Sequence, residues 1–178
     1  MQLADIVRSR IRDVPDFPRP GILFRDITPL MNDPLLRAEI VSELAAHFKG
    51  HHLTAVAGIE ARGFIFGALL AQRLSLPFVP VRKAGKLPYA TFTRQYALEY
   101  GTASLQLHVD ALRHGDRVLI HDDLLATGGT AVAAAELAEM AGAEVAGFSF
   151  LVNLAFLPGV KTLVSRFGLQ PRFVVEYE

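Results

Sequence analysis

Two adjacent carboxylates, Asp122 and Asp123, stand between an apolar strand, Val118-Leu119-Ile120, and a short turn, Ala126-Thr127-Gly128-Gly129-Thr130. An Ala-rich stretch, Ala131–Ala141, follows and predicts a helix, since Ala is the best helix former. Bare backbone N–H groups, two hydroxyls and the positive end of a helix suit a phosphate. The acids would repel that phosphate. They suit the hydroxyls of a ribose, whose donors need acceptors. Strand, acids, loop and helix start together describe a site for a phosphorylated sugar, placed where ligands of open α/β sheets bind. A Walker A loop is excluded because no GxxxxGK[ST] string occurs, and a dinucleotide fingerprint because Gly128-Gly129 lack a third glycine at the right spacing.

Other candidate groups are scattered. Gly58-Ile59-Glu60-Ala61-Arg62-Gly63 reads as a strand-end turn opening a helix, where Arg62 and the helix N-terminus together suit an anion. Arg82, Lys83 and Lys86 form a basic cluster just after another strand. Such a cluster could neutralise a leaving pyrophosphate, although any solvated loop carries runs of this kind. Glu99 and Tyr100 follow an irregular stretch, and taken alone fit an ordinary surface strand start. The histidines form no HxxxH or HExxH pattern.

The elements that must position these groups alternate strand with helix, which predicts an α/β fold with a mostly parallel central sheet flanked by helices. Residues 3–12 predict a weakly amphipathic helix. Pro15, Pro18, Pro20 and Gly21 make Val14–Pro29 an extended arm. Asp33 as N-cap and Pro34 at the first position start a helix whose Leu36, Ile40, Leu44 and Phe48 share one face. Strands are expected at Leu53–Ala57, Phe78–Val81, Thr102–His108, Arg117–His121, Glu144–Val152 and Arg172–Glu176, with a helix over Phe64–Leu74. Arg82–Tyr96 shows neither period and reads as a long loop, of the kind that forms lids.

Composition narrows the class. The 178 residues suffice for a single domain with a proper core. Net charge is zero, from 18 basic and 18 acidic residues, which argues against bulk nucleic-acid binding. Without Cys, disulfides and thiolate metal sites are impossible. MQLADIVRSRIRDV has no apolar run and does not read as a signal peptide, so a cytoplasmic setting without membrane attachment is expected.

The strand, acidic pair and TGGT loop resemble the 5-phosphoribosyl 1-pyrophosphate (PRPP) motif of the type I phosphoribosyltransferases. His121 departs from it, standing where the family usually has an apolar residue. DDLLATGGT is most similar to members of the family that use adenine. FPRPGILFRDITP resembles their N-terminal hood, GIEARGFIF their pyrophosphate turn, and YALEYG their catalytic loop. Glu60-Ala61 stand where that family more often has Asp and a small residue.

The resemblance implies the type I phosphoribosyltransferase fold over residues 1–178, with a hood over 1–30 and a flexible catalytic loop over 82–101. It implies transfer of the phosphoribosyl group to adenine, giving AMP and pyrophosphate. Ribose is then held by Asp122 and Asp123, and the 5′-phosphate by Ala126, Thr127, Gly128, Gly129 and Thr130. Arg62, Arg82, Lys83 and Lys86 receive pyrophosphate. Adenine meets Leu23, Phe24, Arg25 and Leu124. Glu99 handles the purine proton, and Tyr100 covers the site. Mg²⁺ is expected as cofactor, held mainly by PRPP and water rather than by direct protein ligands. A homodimer is implied too, one subunit's basic loop reaching toward the other's site. The rivals are a transferase for another base, a PRPP-sensing regulator without catalysis, and a generic nucleotide-binding protein. A 6-oxopurine enzyme would usually carry an EDI-type acidic motif with DTG. A regulator typically has a nucleic-acid-binding extension or basic face, and none is evident. A generic binder leaves the acidic pair unexplained.

Overall fold

The computed structural model describes residues 2–97 and 101–178. Its first elements are helix α1 (Leu3–Arg10), strands β1 (Arg12–Pro15) and β2 (Leu23–Asp26), and helices α2 (Thr28–Met31) and α3 (Pro34–His47). Then come β3 (Ala55–Ile59), α4 (Gly63–Leu74), β4 (Phe78–Lys83), β5 (Thr91–Ala97) and β6 (Thr102–His108). The last are β7 (Arg117–Leu125), α5 (Gly129–Met140), β8 (Glu144–Leu154), α6 (Gly159–Phe167) and β9 (Arg172–Tyr177).

Seven strands form one sheet in the order β5-β6-β4-β3-β7-β8-β9. Strands β4, β3, β7, β8 and β9 are mutually parallel, and β6 and β5 extend the sheet antiparallel at one edge. The predicted α/β class and mostly parallel sheet are therefore observed. Helices cover both faces. Helix α5 packs its alanines and Leu137 on the face that carries Val81, Ile120 and Phe148. Helices α3 and α4 bury Ile40, Leu44, Phe66 and Leu70 on the face that carries Leu119 and Leu151. Each such large apolar side chain contributes roughly 1.5–3 kcal/mol by leaving water. The start of α3 follows its sequence signals: the Asp33 side chain accepts from the Leu36 N–H at 3.0 Å, and Pro34 opens the helix.

Two stretches differ from the sequence expectation. The arm Val14–Pro29 is not simply extended. It contains β2, paired antiparallel with β1 from Arg12↔Asp26 to Pro15↔Leu23, and the short helix α2. Pro18 and Pro20 lie in the connecting turn, Pro15 closes β1, and Pro29 stands in the first turn of α2, so none interrupts a strand.

The segment Arg82–Tyr96 is mostly not an irregular loop. Strand β4 runs on through Lys83, and β5 pairs residue for residue with β6, from Thr91↔His108 to Ala97↔Thr102. On the face of β5 toward α5, Phe92 and Tyr96 pack on the core but Arg94 stands between them and pairs with Glu136, so the strand shows no clean apolar period. No helix among the described residues is long and apolar enough to cross a membrane.

Candidate active site

Parallel pairing brings distant segments to one edge. Strand β3 lies between β4 and β7, with Ala57 opposite Val79 on one side and Ile120 on the other. The carboxyl ends of all three strands therefore open onto the same rim. That rim carries the turn after β3, the basic segment after β4 and the Thr/Gly loop after β7. Helix α4 leads from β3 back to β4, and α5 leads from β7 outward to β8 on the opposite face. This reversal of winding makes a crevice of the kind in which open α/β sheets hold ligands.

The acids sit inside β7, which extends to Leu125, rather than after it. Asp122 is half-buried, and its Oδ1 accepts the Asp123 N–H at 2.9 Å. Burial, and then the neighbouring Asp123 charge, push the Asp122 carboxyl well above its usual range. Asp123 is buried and meets Arg62 Nε at 2.6 Å. Helix α4 can approach this closely because residue 63 is glycine. A Cβ there would lie 2.7 Å from Asp122 Oδ1 and 3.0 Å from the His121 carbonyl oxygen.

The loop Ala126–Thr130 leads into α5. Gly128 takes φ 88°, a left-handed conformation open to glycine, and no side chain caps the helix. The first-turn N–H groups of α5 thus lack intrahelical partners and face the rim. Asp122, Leu124, Ala126, Gly128 and Thr130 share a small cavity of about 60 Å³ at this point. A groove of about 530 Å³ lies elsewhere, between α3 and α4, lined by Pro34, Arg37, Val41, Leu69 and Arg73 among others. It borders none of the sequence-predicted site residues, and greater volume alone does not make it the reactive cleft.

The basic segment is tied down by a residue that the sequence reading did not place in the site. Glu60 Oε1 meets Lys86 Nζ at 2.5 Å, and Glu60 Oε2 meets Arg82 Nε at 3.2 Å. The Lys83 backbone N–H donates to Glu60 Oε2 at 3.1 Å, and Arg82 Nη1 donates to the Lys86 carbonyl at 3.1 Å. The Glu60 side chain is only 7% exposed. Burial opposes its charge, but hydrogen bonds from Lys86, Arg82 and the Lys83 N–H outweigh that and lower its pKa to about 2. The Lys83 side chain is exposed and forms no ion pair among the described residues.

The hood reaches the rim through Phe24. The Arg62 guanidinium lies 4.7 Å from the Phe24 ring centroid, and Phe17 packs edge-on against Phe24 at 5.0 Å. Leu23 is 47% exposed. Strand β2 has β1 on one side only, so its other edge offers backbone groups to a partner. The Arg25 side chain is used in the fold, pairing with Asp13 and lying 3.8 Å over the Tyr177 ring. Glu99 and Tyr100 lie outside the described residues.

The phosphoribosyl transferase domain family matches residues 34–163. The chain belongs to this family. It is 58% identical over 162 residues to the adenine phosphoribosyltransferase of Sorangium cellulosum, covering 91% of this chain and 81% of that one. The crystal structure of adenine phosphoribosyltransferase from Thermoanaerobacter pseudethanolicus superimposes with a TM-score of 0.94 at 46% identity, covering 99% of this chain and all of that one (100%). The Saccharomyces cerevisiae enzyme, crystallised with an imino-altritol bisphosphate and adenine, gives a TM-score of 0.89 at 36% identity, covering 97% of this chain and 98% of that one.

Within this phosphoribosyltransferase fold, His121 serves the core. Its side chain is fully buried, and Nδ1 lies 3.1 Å from Ser149 Oγ. Burial lowers its pKa to about 3, so the ring is neutral at ordinary pH. The alternation of β7 puts it on the side opposite Asp122 and on the same side as Asp123, where its ring packs against Gly67 of α4. Glu60 left only one trace in the sequence, a Glu where the resemblance leads one to expect Asp. Its reach to Lys86 depends on the β3–β4 register.

Proposed function

We infer that the protein is an adenine phosphoribosyltransferase of purine salvage, joining adenine to PRPP and releasing AMP and pyrophosphate. The observation that carries the reading is the acidic pair abutting the uncapped N-terminus of α5, in a chain so similar to enzymes of that name. Acceptors for ribose hydroxyls and donors for a phosphate then stand side by side.

In this reading the Ala126–Thr130 loop cradles the 5′-phosphate with N–H groups and hydroxyls. Asp122 and Asp123 accept from the ribose hydroxyls and face the positive charge that develops at the anomeric carbon. The bond from that carbon to pyrophosphate breaks as the bond to purine N9 forms. The N9 proton passes to Glu99, and Tyr100 covers the site. Arg62, Lys83 and the Arg82–Lys86 pair receive the departing charge. Leu23, Phe24 and Leu124 flank the purine, while backbone groups of Leu23 and Arg25 on the free edge of β2 read its ring nitrogens and amine. The residues fit Mg²⁺ as a substrate-borne ion, since Asp122 and Asp123 supply hard oxygen donors beside the pyrophosphate rim. When bound, Mg²⁺ neutralises pyrophosphate charge, held mainly by substrate oxygens and water. Closure of the 82–101 segment would exclude water from PRPP. Family resemblance supports a homodimer and a cytoplasmic location, and sedimentation at micromolar concentration tests the former.

The test is pyrophosphate release from PRPP and Mg²⁺ with adenine, hypoxanthine, guanine and orotate in parallel. Turnover with adenine alone is expected. Turnover with another base would overturn the base assignment and keep the PRPP site. PRPP binding without any turnover would favour a sensor. Replacing Glu99 by Ala should lower kcat roughly a hundredfold and leave PRPP affinity nearly unchanged. An equal loss in both would assign Glu99 to loop structure.

A further inference from the structure

We propose that Glu60 is a positioning residue that engages Arg82 and Lys86 in the ligand-free protein, so that Lys83 carries most of the attraction for pyrophosphate and the product can leave. The inference rests on the reading that this rim handles pyrophosphate.

Three cations within a few residues would hold a polyanion very tightly, and an enzyme that releases pyrophosphate each cycle needs that grip limited. Glu60 limits it. One nearly buried carboxylate takes both cations: Lys86 Nζ lies 2.5 Å from Oε1, and Arg82 spans the two oxygens, with Nε 3.2 Å from Oε2 and Nη2 3.4 Å from Oε1. It also accepts the Lys83 N–H at 3.1 Å, which fixes the backbone from which the Lys83 side chain projects. Arg82 is pinned a second time by the Lys86 carbonyl at 3.1 Å. The cluster is thus a closed ring through Glu60, Lys86 and Arg82, with the Lys83 ammonium left outside it. A ring of this kind does not need pyrophosphate to be satisfied. Pyrophosphate must compete with Glu60 for Arg82 and Lys86, but not for Lys83.

The sign of the consequence separates this role from plain scaffolding. A scaffold residue, once removed, loosens the loop and weakens pyrophosphate. A competing charge, once removed, strengthens it. Glu60→Gln keeps the shape and removes the charge, so pyrophosphate should inhibit the forward reaction at a concentration roughly five- to tenfold lower than in the wild type. The KM for adenine should stay unchanged. Inhibition that is unchanged or weaker in this variant overturns the proposal.

A second comparison stands even if Glu60→Gln does not fold. With the clamp intact, Lys83→Gln should weaken pyrophosphate inhibition roughly tenfold and Lys86→Gln by no more than about threefold. An equal or larger loss for Lys86→Gln would mean that Glu60 does not withhold it. The wild type is assayed first for AMP formation from adenine and PRPP. Absence of AMP sinks the functional reading. AMP formation with the wrong order of inhibition sinks only the role of Glu60.

Discussion

Two carboxylate sites on the same rim are both largely out of solvent, yet their electrostatics run in opposite directions. Glu60 is surrounded by Lys86, Arg82 and the Lys83 N–H, and its pKa falls to about 2. Asp122 has another acid beside it, and its pKa is raised. Burial disfavours charge at both. The difference lies in the charge count of the neighbours, cations for Glu60 and a carboxylate for Asp122. Glu60 is satisfied without a ligand, its carboxylate already engaged by Lys86 and Arg82. The Asp122–Asp123 pair is only partly satisfied, by Arg62 on Asp123, and gains from donors or positive charge brought by a substrate. A satisfied acid thus stands beside an unsatisfied one on the same rim.

The widest expected break in that contrast comes from Asp123→Asn. It is isosteric, so circular dichroism should not change, while kcat/KM for PRPP should fall on the order of a hundredfold as charge-assisted contacts are lost. Retained turnover would make the pair merely structural.

Removing the satisfied acid should act on stability. Glu60 has a lowered folded pKa, so its contribution is fully present above its ordinary value of 4.5 and is lost as pH falls toward about 2. Glu60→Gln should therefore lower the melting temperature by about 5 °C at pH 7 and flatten its decline across that acid window. An unchanged acid limb in melting experiments would contradict the assigned pairing.

The unsatisfied acid should show the reverse sign. A raised folded pKa means that stability is present below the unfolded value of 3.8 and lost as pH rises through the folded one. Asp122→Asn should raise the melting temperature of the ligand-free protein by about 3 °C at pH 8, with a gain that shrinks toward acid pH. The same change should weaken PRPP use. A loss of stability at pH 8 would show that the repulsion between the acids is already relieved.

The smallest effect is expected at His121. Pairing His121→Val with Ser149→Ala removes a buried hydrogen-bonded couple together, which is nearly neutral, whereas His121→Val alone leaves the Ser149 hydroxyl unpartnered at a cost of about 1 kcal/mol. Neither variant should change kcat by more than about twofold. A larger loss of turnover, read in the same assay, would bring His121 into the ribose site.

The sequence was most legible where the chemistry is local. Strand, acidic pair, turn and helix occur consecutively from Val118 to Ala141, so their proximity is guaranteed by the chain itself. The Asp33–Pro34 helix start and the buried face Leu36, Ile40, Leu44 and Phe48 were equally readable, because capping and 3.6-residue periodicity are local properties. Legibility failed at β1–β2 and β5. Their pairing is set by partner strands, and in β5 the apolar Phe92 and Tyr96 are separated on their face by Arg94. The basic cluster was visible as charge, but not as charge already paired.

By itself, the sequence determined the α/β class and the order of strand, acidic pair, Thr/Gly loop and helix from Val118 to Ala141, since periodicity and adjacency need no partner. Only the tertiary structure decided which charges meet. Lys86 and Arg82 reach Glu60 across 26 and 22 residues, and Arg62 reaches Asp123 from another strand end. Those encounters follow from the register of β3 between β4 and β7, because parallel strands bring their carboxyl ends to one edge however far apart they lie in the chain.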